Sequence, residues 1–140
     1  MKPLIDETFE ARPTAASEAR RSLSVLAGQV PEDTYEDVRI LVSELVTNSV
    51  RHSGVGGGDQ VRVRLGVWRE PSRLHVEVTD AGPGFEKFVR PSTPDQLGGW
   101  GLQIVDRISD RWGVKRLDSA GAAVWFEIDL NSNKNGSNPA

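Results

Sequence analysis

Glu44 and Asn48 stand four residues apart in a segment whose apolar residues repeat at helical spacing. At that separation their side chains project the same way, toward the border between the apolar stripe and solvent. An acid and an amide at such a border can line a cleft, although the same spacing also fits a solvated helix flank. A second cluster is Val78-Thr79-Asp80-Ala81-Gly82-Pro83-Gly84-Phe85. An Asp at the mouth of a buried strand can accept a hydrogen bond from a ligand's amino group, and Gly82 and Gly84 let backbone approach that ligand closely. A plain turn uses the same residue types. The third is Leu97-Gly98-Gly99-Trp100-Gly101-Leu102, which runs into an amphipathic segment. Small residues before a helix leave N–H groups free, and the helix dipole favours negative charge there. That suits a phosphate, and equally a flexible loop ended by an ordinary helix start.

These residues need elements to hold them. Thr14 is a plausible N-cap, with Glu18 in the first turn of a helix that Gly28 ends, and Ala15, Ala19, Leu23 and Leu26 supply its apolar side. Pro31-Glu32-Asp33 starts a second helix running to about His52, with acid at the positive end of its dipole. Val38, Leu41, Val42, Leu45, Val46, Ser49 and Val50 form its stripe. Beyond the glycines at 54–58 the period changes to two. Val61, Val63, Leu65 and Val67 alternate with Arg62, Arg64, Gly66 and Trp68, Glu70-Pro71-Ser72 turns the chain, and Leu74, Val76 and Val78 alternate in return. Residues 81–98 read as a long loop. A third helix is expected from Trp100 to about Ser109, then strands over Trp112–Leu117 and Val124–Leu130, with Leu4 to Phe9 a short edge strand. The expected fold class is α+β: a two-layer sandwich of helices on one face of a mostly antiparallel mixed sheet. Residues 1–130 form one domain, and 131–140, without a large apolar side chain, form a disordered tail.

Composition excludes several chemistries. The chain has 140 residues, so it can build one core without staples. With zero cysteines there is no disulfide framework, thiolate catalysis or cysteine-bearing zinc site, and His52 and His75 are too few for a multi-histidine cage. A formal charge of -3 gives no electrostatic attraction for nucleic acid or an anionic membrane. No apolar run approaches the ~20 residues of a membrane span, and the N-terminal segment lacks a signal-peptide core, so the cytoplasm is the expected location. No P-loop, helix-opening G-x-G-x-x-G or protein-kinase H-R-D…D-F-G set occurs.

Taken in order, ELVTNSVRH (44–52), DAGPG (80–84) and GGWGLQIVD (98–106) resemble the GHKL, or Bergerat-fold, ATPases, with their E-x-x-x-N helix, D-x-G-x-G loop and later G-x-G-L. The likeness spans about residues 14–130. Within that family the chain looks most like the short anti-sigma-factor serine/threonine kinases of bacterial partner switching. No histidine-bearing dimerisation segment or membrane sensor precedes the domain, unlike sensor histidine kinases. The resemblance implies ATP and Mg²⁺ as cofactors: Asn48 coordinates the metal, and Glu44 acts as general base on a serine hydroxyl or water. Asp80 accepts the adenine amino hydrogen, and Gly82 and Gly84 wrap the nucleotide. Gly99, Gly101 and Leu102, at the next helix start, hold the phosphates, with Phe85–Leu97 a lid. It also implies a sigma factor and an anti-sigma-factor antagonist as partners, and a possible homodimer.

The chain departs from the family pattern at two places. Trp100 stands where the third box often carries Arg or Lys, so a phosphate-contacting cation either comes from the lid, with Lys87 or Arg90 as candidates, or is missing. Gly121-Ala122-Ala123 stands where relatives often have a Thr that reaches adenine through water. Glu44 therefore favours an active kinase, while these departures favour an ATP-binding interaction module with weak or no turnover. A kinase serving another pathway is a third reading, and a structural role is open for His52.

Overall fold

The computed structural model describes residues 2–53, 62–80, 102–117 and 121–130. The expected loop at 81–98 and the tail at 131–140 lie outside them. Strand β1 (Ile5–Glu10) leads into helix α1 (Ala15–Ser22), which tightens into a 3-10 turn over Leu23–Leu26. Ala15, Ala19, Leu23 and Leu26 are all fully buried, as their spacing predicts. Thr14 stands at the N-cap but does not cap through its side chain. Its backbone is already helical (φ -83, ψ -2), and its hydroxyl donates instead to Glu18 Oε2 at 3.1 Å. Gly28, at φ 86, makes the left-handed turn that closes the segment.

Helix α2 (Glu32–Ser53) is the longest element. Val38, Leu41, Val42, Leu45 and Val46 are at most 1% exposed and lie along the face that meets the sheet. The hairpin follows as β2 (Arg62–Glu70) and β3 (Arg73–Asp80), joined at Pro71 and Ser72. Helix α3 spans Leu102–Ile108, within the expected range, and β4 (Arg111–Leu117) and β5 (Gly121–Asp129) complete the chain order. The sheet has order β1-β2-β3-β5-β4, and every described pairing in it is antiparallel. Among the described residues no helix is long and apolar enough to cross a membrane.

Strand alternation makes the sheet two-sided. Ile5, Phe9, Val63, Leu65, Val67, Leu74, Val76, Val78, Val124, Phe126 and Ile128 form one core with the helices. Burying a side chain such as Phe126 contributes roughly 1.5–3 kcal/mol, so this layer dominates stability. Trp112 Nε1 donates to Asp106 Oδ1 at 2.8 Å and ties β4 to α3.

The opposite face carries a polar and aromatic network over β3, β4 and β5. The two ring nitrogens of His75 lie 2.7 Å from Glu127 and 2.9 Å from Glu77. The ring stacks on Trp125 and meets Trp68 edge-on. Gly66 and Gly113 make room for those indoles: an added Cβ would come within 2.6 Å of the Trp68 ring or 2.8 Å of the Trp125 ring. Arg111 and Arg73 also bind Glu127, and Lys115 binds Glu77.

Burial pushes both carboxyls up, but hydrogen bonds outweigh it. His75 and Lys115 hold Glu77, and Arg111 and His75 hold Glu127, below the ordinary carboxylate range. A carboxylate depressed in the folded state contributes stability that is complete above its unfolded value of ~4.3 and is lost as pH falls through the folded value. Glu127→Gln is expected to cost about 1–2 kcal/mol at pH 7, because two guanidinium groups lose their anionic partner. It should also flatten the loss of stability between pH 5 and the acid limit. Urea unfolding across that range checks this, and an acid limb as steep as in the unsubstituted protein would refute the assignment.

Candidate functional site

The arrangement around α2 starts from its angular positions. At about 100° per residue, Asn48 lies about 20° round the helix from Leu41, and Glu44 about 40° further out. That offset separates the pair expected together at the border: Asn48 is 4% exposed inside the core layer, whereas Glu44 is exposed. Ser49, beside Asn48, is 2% exposed. The border therefore passes between the acid and the amide.

Asp80 shares the inward parity of Leu74, Val76 and Val78 and ends β3 at 1% exposure. It pairs with Val63 on one side and Ala122 on the other, so neighbouring strands fix its backbone from both flanks. Its Oδ2 is enclosed within the protein. Leu102, the first residue of α3, is fully buried, and α3 packs against α2. Asn48, Asp80 and Leu102 are thus buried members of the layer between helices and sheet, contributed by α2, the end of β3 and the start of α3.

The other expected residues stand apart from this set. Gly82, Gly84, Gly99 and Gly101, together with Lys87, Arg90 and Trp100, lie outside the described residues, as does the side chain of His52. Ala123 is described, 1% exposed and paired with Thr79 and Lys115. Glu44 faces an open groove of about 230 Å³ lined by Arg20, Arg39, Ile40 and Ser43. Arg20 donates to Ser43 at 3.1 Å across the α1–α2 seam.

The Asn48 amide is only half satisfied. Its Oδ1 accepts from Arg51 Nη1 at 3.5 Å, the long limit of a hydrogen bond, while its buried Nδ2 has no partner among the described residues. A buried unpaired donor costs roughly 1–3 kcal/mol, and one retained in a native core is met by an ordered water, an ion or a ligand. The amide fits a metal–phosphate group: its oxygen is the hard ligand Mg²⁺ takes, and its N–H can donate to a phosphate oxygen. Among the described residues no group of three His, Cys, Asp or Glu could hold a metal by itself. A single amide oxygen suits a cation that takes most of its ligands from phosphate and water. Sequence reasoning missed Arg51, although its position three residues after Asn48 is a helix-neighbour spacing that could have revealed it.

A family model described as a histidine kinase-like ATPase domain matches residues 9–128. Among curated relatives, the serine-protein kinase RsbW of Bacillus velezensis is 33% identical, over 93% of this chain and 88% of its own length. The protein of the same name from Bacillus subtilis is 31% identical over the same shares. In fold, the chain resembles the histidine kinase domain of the Erythrobacter litoralis EL346 blue-light activated histidine kinase (TM-score 0.58, 21% identity, 86% of this chain and 63% of that one). It also resembles the catalytic domain of histidine kinase ThkA (TM-score 0.55, 18% identity, 91% and 97%). With an amide and a carboxylate buried between helices and sheet, and a family match across most of its length, the chain belongs to the histidine kinase-like ATPase domain family.

Proposed function

We propose that this chain is an ATP-dependent serine/threonine protein kinase that phosphorylates an anti-sigma-factor antagonist and sequesters a sigma factor in a partner switch. The observation that carries the reading is the half-satisfied amide of Asn48, buried in the same layer as Asp80. Likeness to serine-protein kinases over most of both chains supports the reaction class. Asn48 would hold Mg²⁺, which when bound neutralises phosphate charge. Asp80 would accept the adenine amino hydrogen, and Leu102 would seat the phosphates at the start of α3. Gly82, Gly84, Gly99 and Gly101 are proposed to wrap the nucleotide.

The exposure of Glu44 suits a base that must meet a second protein. Its carboxylate would accept the proton of an acceptor hydroxyl arriving along the Arg20–Arg39 groove. As that hydroxyl oxygen bonds to the γ-phosphorus, the bond from γ-phosphorus to the bridging oxygen breaks and ADP leaves. Positioning and charge neutralisation supply most of the acceleration in such transfers, so a small set of residues suffices.

Glu44→Ala is expected to abolish label transfer from radiolabelled ATP to antagonist proteins while sparing ATP binding. Transfer that survives the substitution would remove Glu44 from the mechanism, and no transfer by the unsubstituted chain would leave only a binding module. Asp80→Asn should blunt the preference for ATP over GTP in calorimetric titration, and unchanged discrimination would reject its role. Asn48→Leu removes the unpaired donor, so the nucleotide-free protein should gain about 1 kcal/mol in urea unfolding while losing Mg-ATP affinity. A large destabilisation would show instead that the amide serves the core.

A further inference from the structure

The groove beside Glu44 shares a wall with a second cavity. Arg39 lines the groove, pairs with Glu36 at 3.3 Å and lies over the Tyr35 ring, 5.9 Å from its centre. Glu36 and Tyr35 in turn line a cavity of about 360 Å³ at the start of α2, together with Ala27, Val30 and Glu32. Buried Val30 and half-buried Tyr35 make one side of it apolar, and exposed Glu32 and Glu36 make the other acidic. Glu36 is taken by Arg39, whereas Glu32 has no cationic partner among the described residues. Ile40 in the groove is 43% exposed, so apolar surface lies open beside the charges. Along the outer side of α2 the surface thus runs from the Glu32 carboxylate over Tyr35 to the Arg39 guanidinium, and ends on Glu44.

We propose that this cavity is a selectivity subsite for the acceptor protein, taking a lysine or arginine side chain about four residues from the phosphorylated hydroxyl. The inference rests on the reading of Glu44 as the base. Tyr35 and Glu44 are nine residues apart on α2, which is about 14 Å at ~1.5 Å per residue. An extended segment at ~3.3 Å per residue covers that span with about four residues. A long basic side chain suits both sides of the cavity. Its methylenes lie along Val30 and Tyr35 while its charged head reaches Glu32. The half-positive end of the α2 dipole opposes a cation here, but Glu32 and Asp33, two full charges in the first turn, outweigh it. An acidic side chain at the same place would meet those carboxylates and be rejected. Glu32 and Tyr35 touch no reacting atom. They decide which hydroxyl is presented to Glu44.

The test follows label transfer from radiolabelled ATP to the antagonist that the unsubstituted full chain phosphorylates, with kcat and the acceptor KM determined separately. In Glu32→Lys, a reversal at an exposed position, the acceptor KM should rise about fivefold, the effect of one screened ion pair turned repulsive. Both kcat and the KM for ATP should stay the same. Glu7→Lys, the same charge change at an exposed position of β1, should alter none of the three. Each lysine or arginine within about five residues of the acceptor serine is then changed to Glu. One such acceptor should be a poorer substrate for the unsubstituted chain and recover with Glu32→Lys. An unchanged acceptor KM in Glu32→Lys, an equal rise in Glu7→Lys, or no acceptor reversal that Glu32→Lys rescues overturns the proposal. A changed sedimenting mass with the acceptor KM unaltered would give the cavity to a second copy of this chain instead. The two readings fail separately. No transfer by the unsubstituted chain removes the kinase, whereas transfer with a KM indifferent to Glu32 removes only the subsite.

Discussion

A polar amide inside a largely apolar helix face is the constraint around which this molecule is arranged. Asn48 occupies the edge of the stripe by which α2 lies on the sheet, and Leu41 and Leu45 on the same side are essentially inaccessible. Hydrophobic burial along α2 is strong enough to carry one half-satisfied amide into the core layer. An interior that tolerates such a group gives up stability to keep it. The same helix rotates Glu44 just outside the buried sector. One element thus offers a buried amide and a solvent-facing acid, within four residues and without a loop.

Asp80 comes from the same logic applied to a strand. Period-two alternation sends Leu74, Val76 and Val78 into the core, and the next inward position holds a carboxylate where the strand ends. Pairing on both flanks fixes the backbone of that carboxylate. The solvent face of β3 carries the polar and aromatic network. His75 bridges Glu77 and Glu127, two indoles cover it, and Gly66 and Gly113 clear the space the rings need. Charge-assisted contacts link β3, β4 and β5 across this face.

Much of this was legible from residue order. The helices and strands followed from their periods because burial of apolar surface is periodic, and Leu102 and Asp80 fell where the motifs placed them. The N-cap shows the limit of such reading. Thr14 has the right chemistry and position, but its backbone is helical and its hydroxyl turns to Glu18, because a neighbouring carboxylate competes for the same donor. The pairing of Glu44 with Asn48 was half legible: their common direction is a matter of spacing, whereas the depth of each depends on how closely α2 approaches the sheet.

Periodicity, capping chemistry and the order of three short motifs are local properties, and from them the chain alone determined its elements, its α+β class and its family likeness. The depth of Asn48, the groove beside Glu44 and the His75 network were decided only by tertiary structure. Each depends on distances between segments that the chain leaves far apart or on the depth of a side chain in the packed layer, and neither quantity is encoded in spacing along one strand or helix.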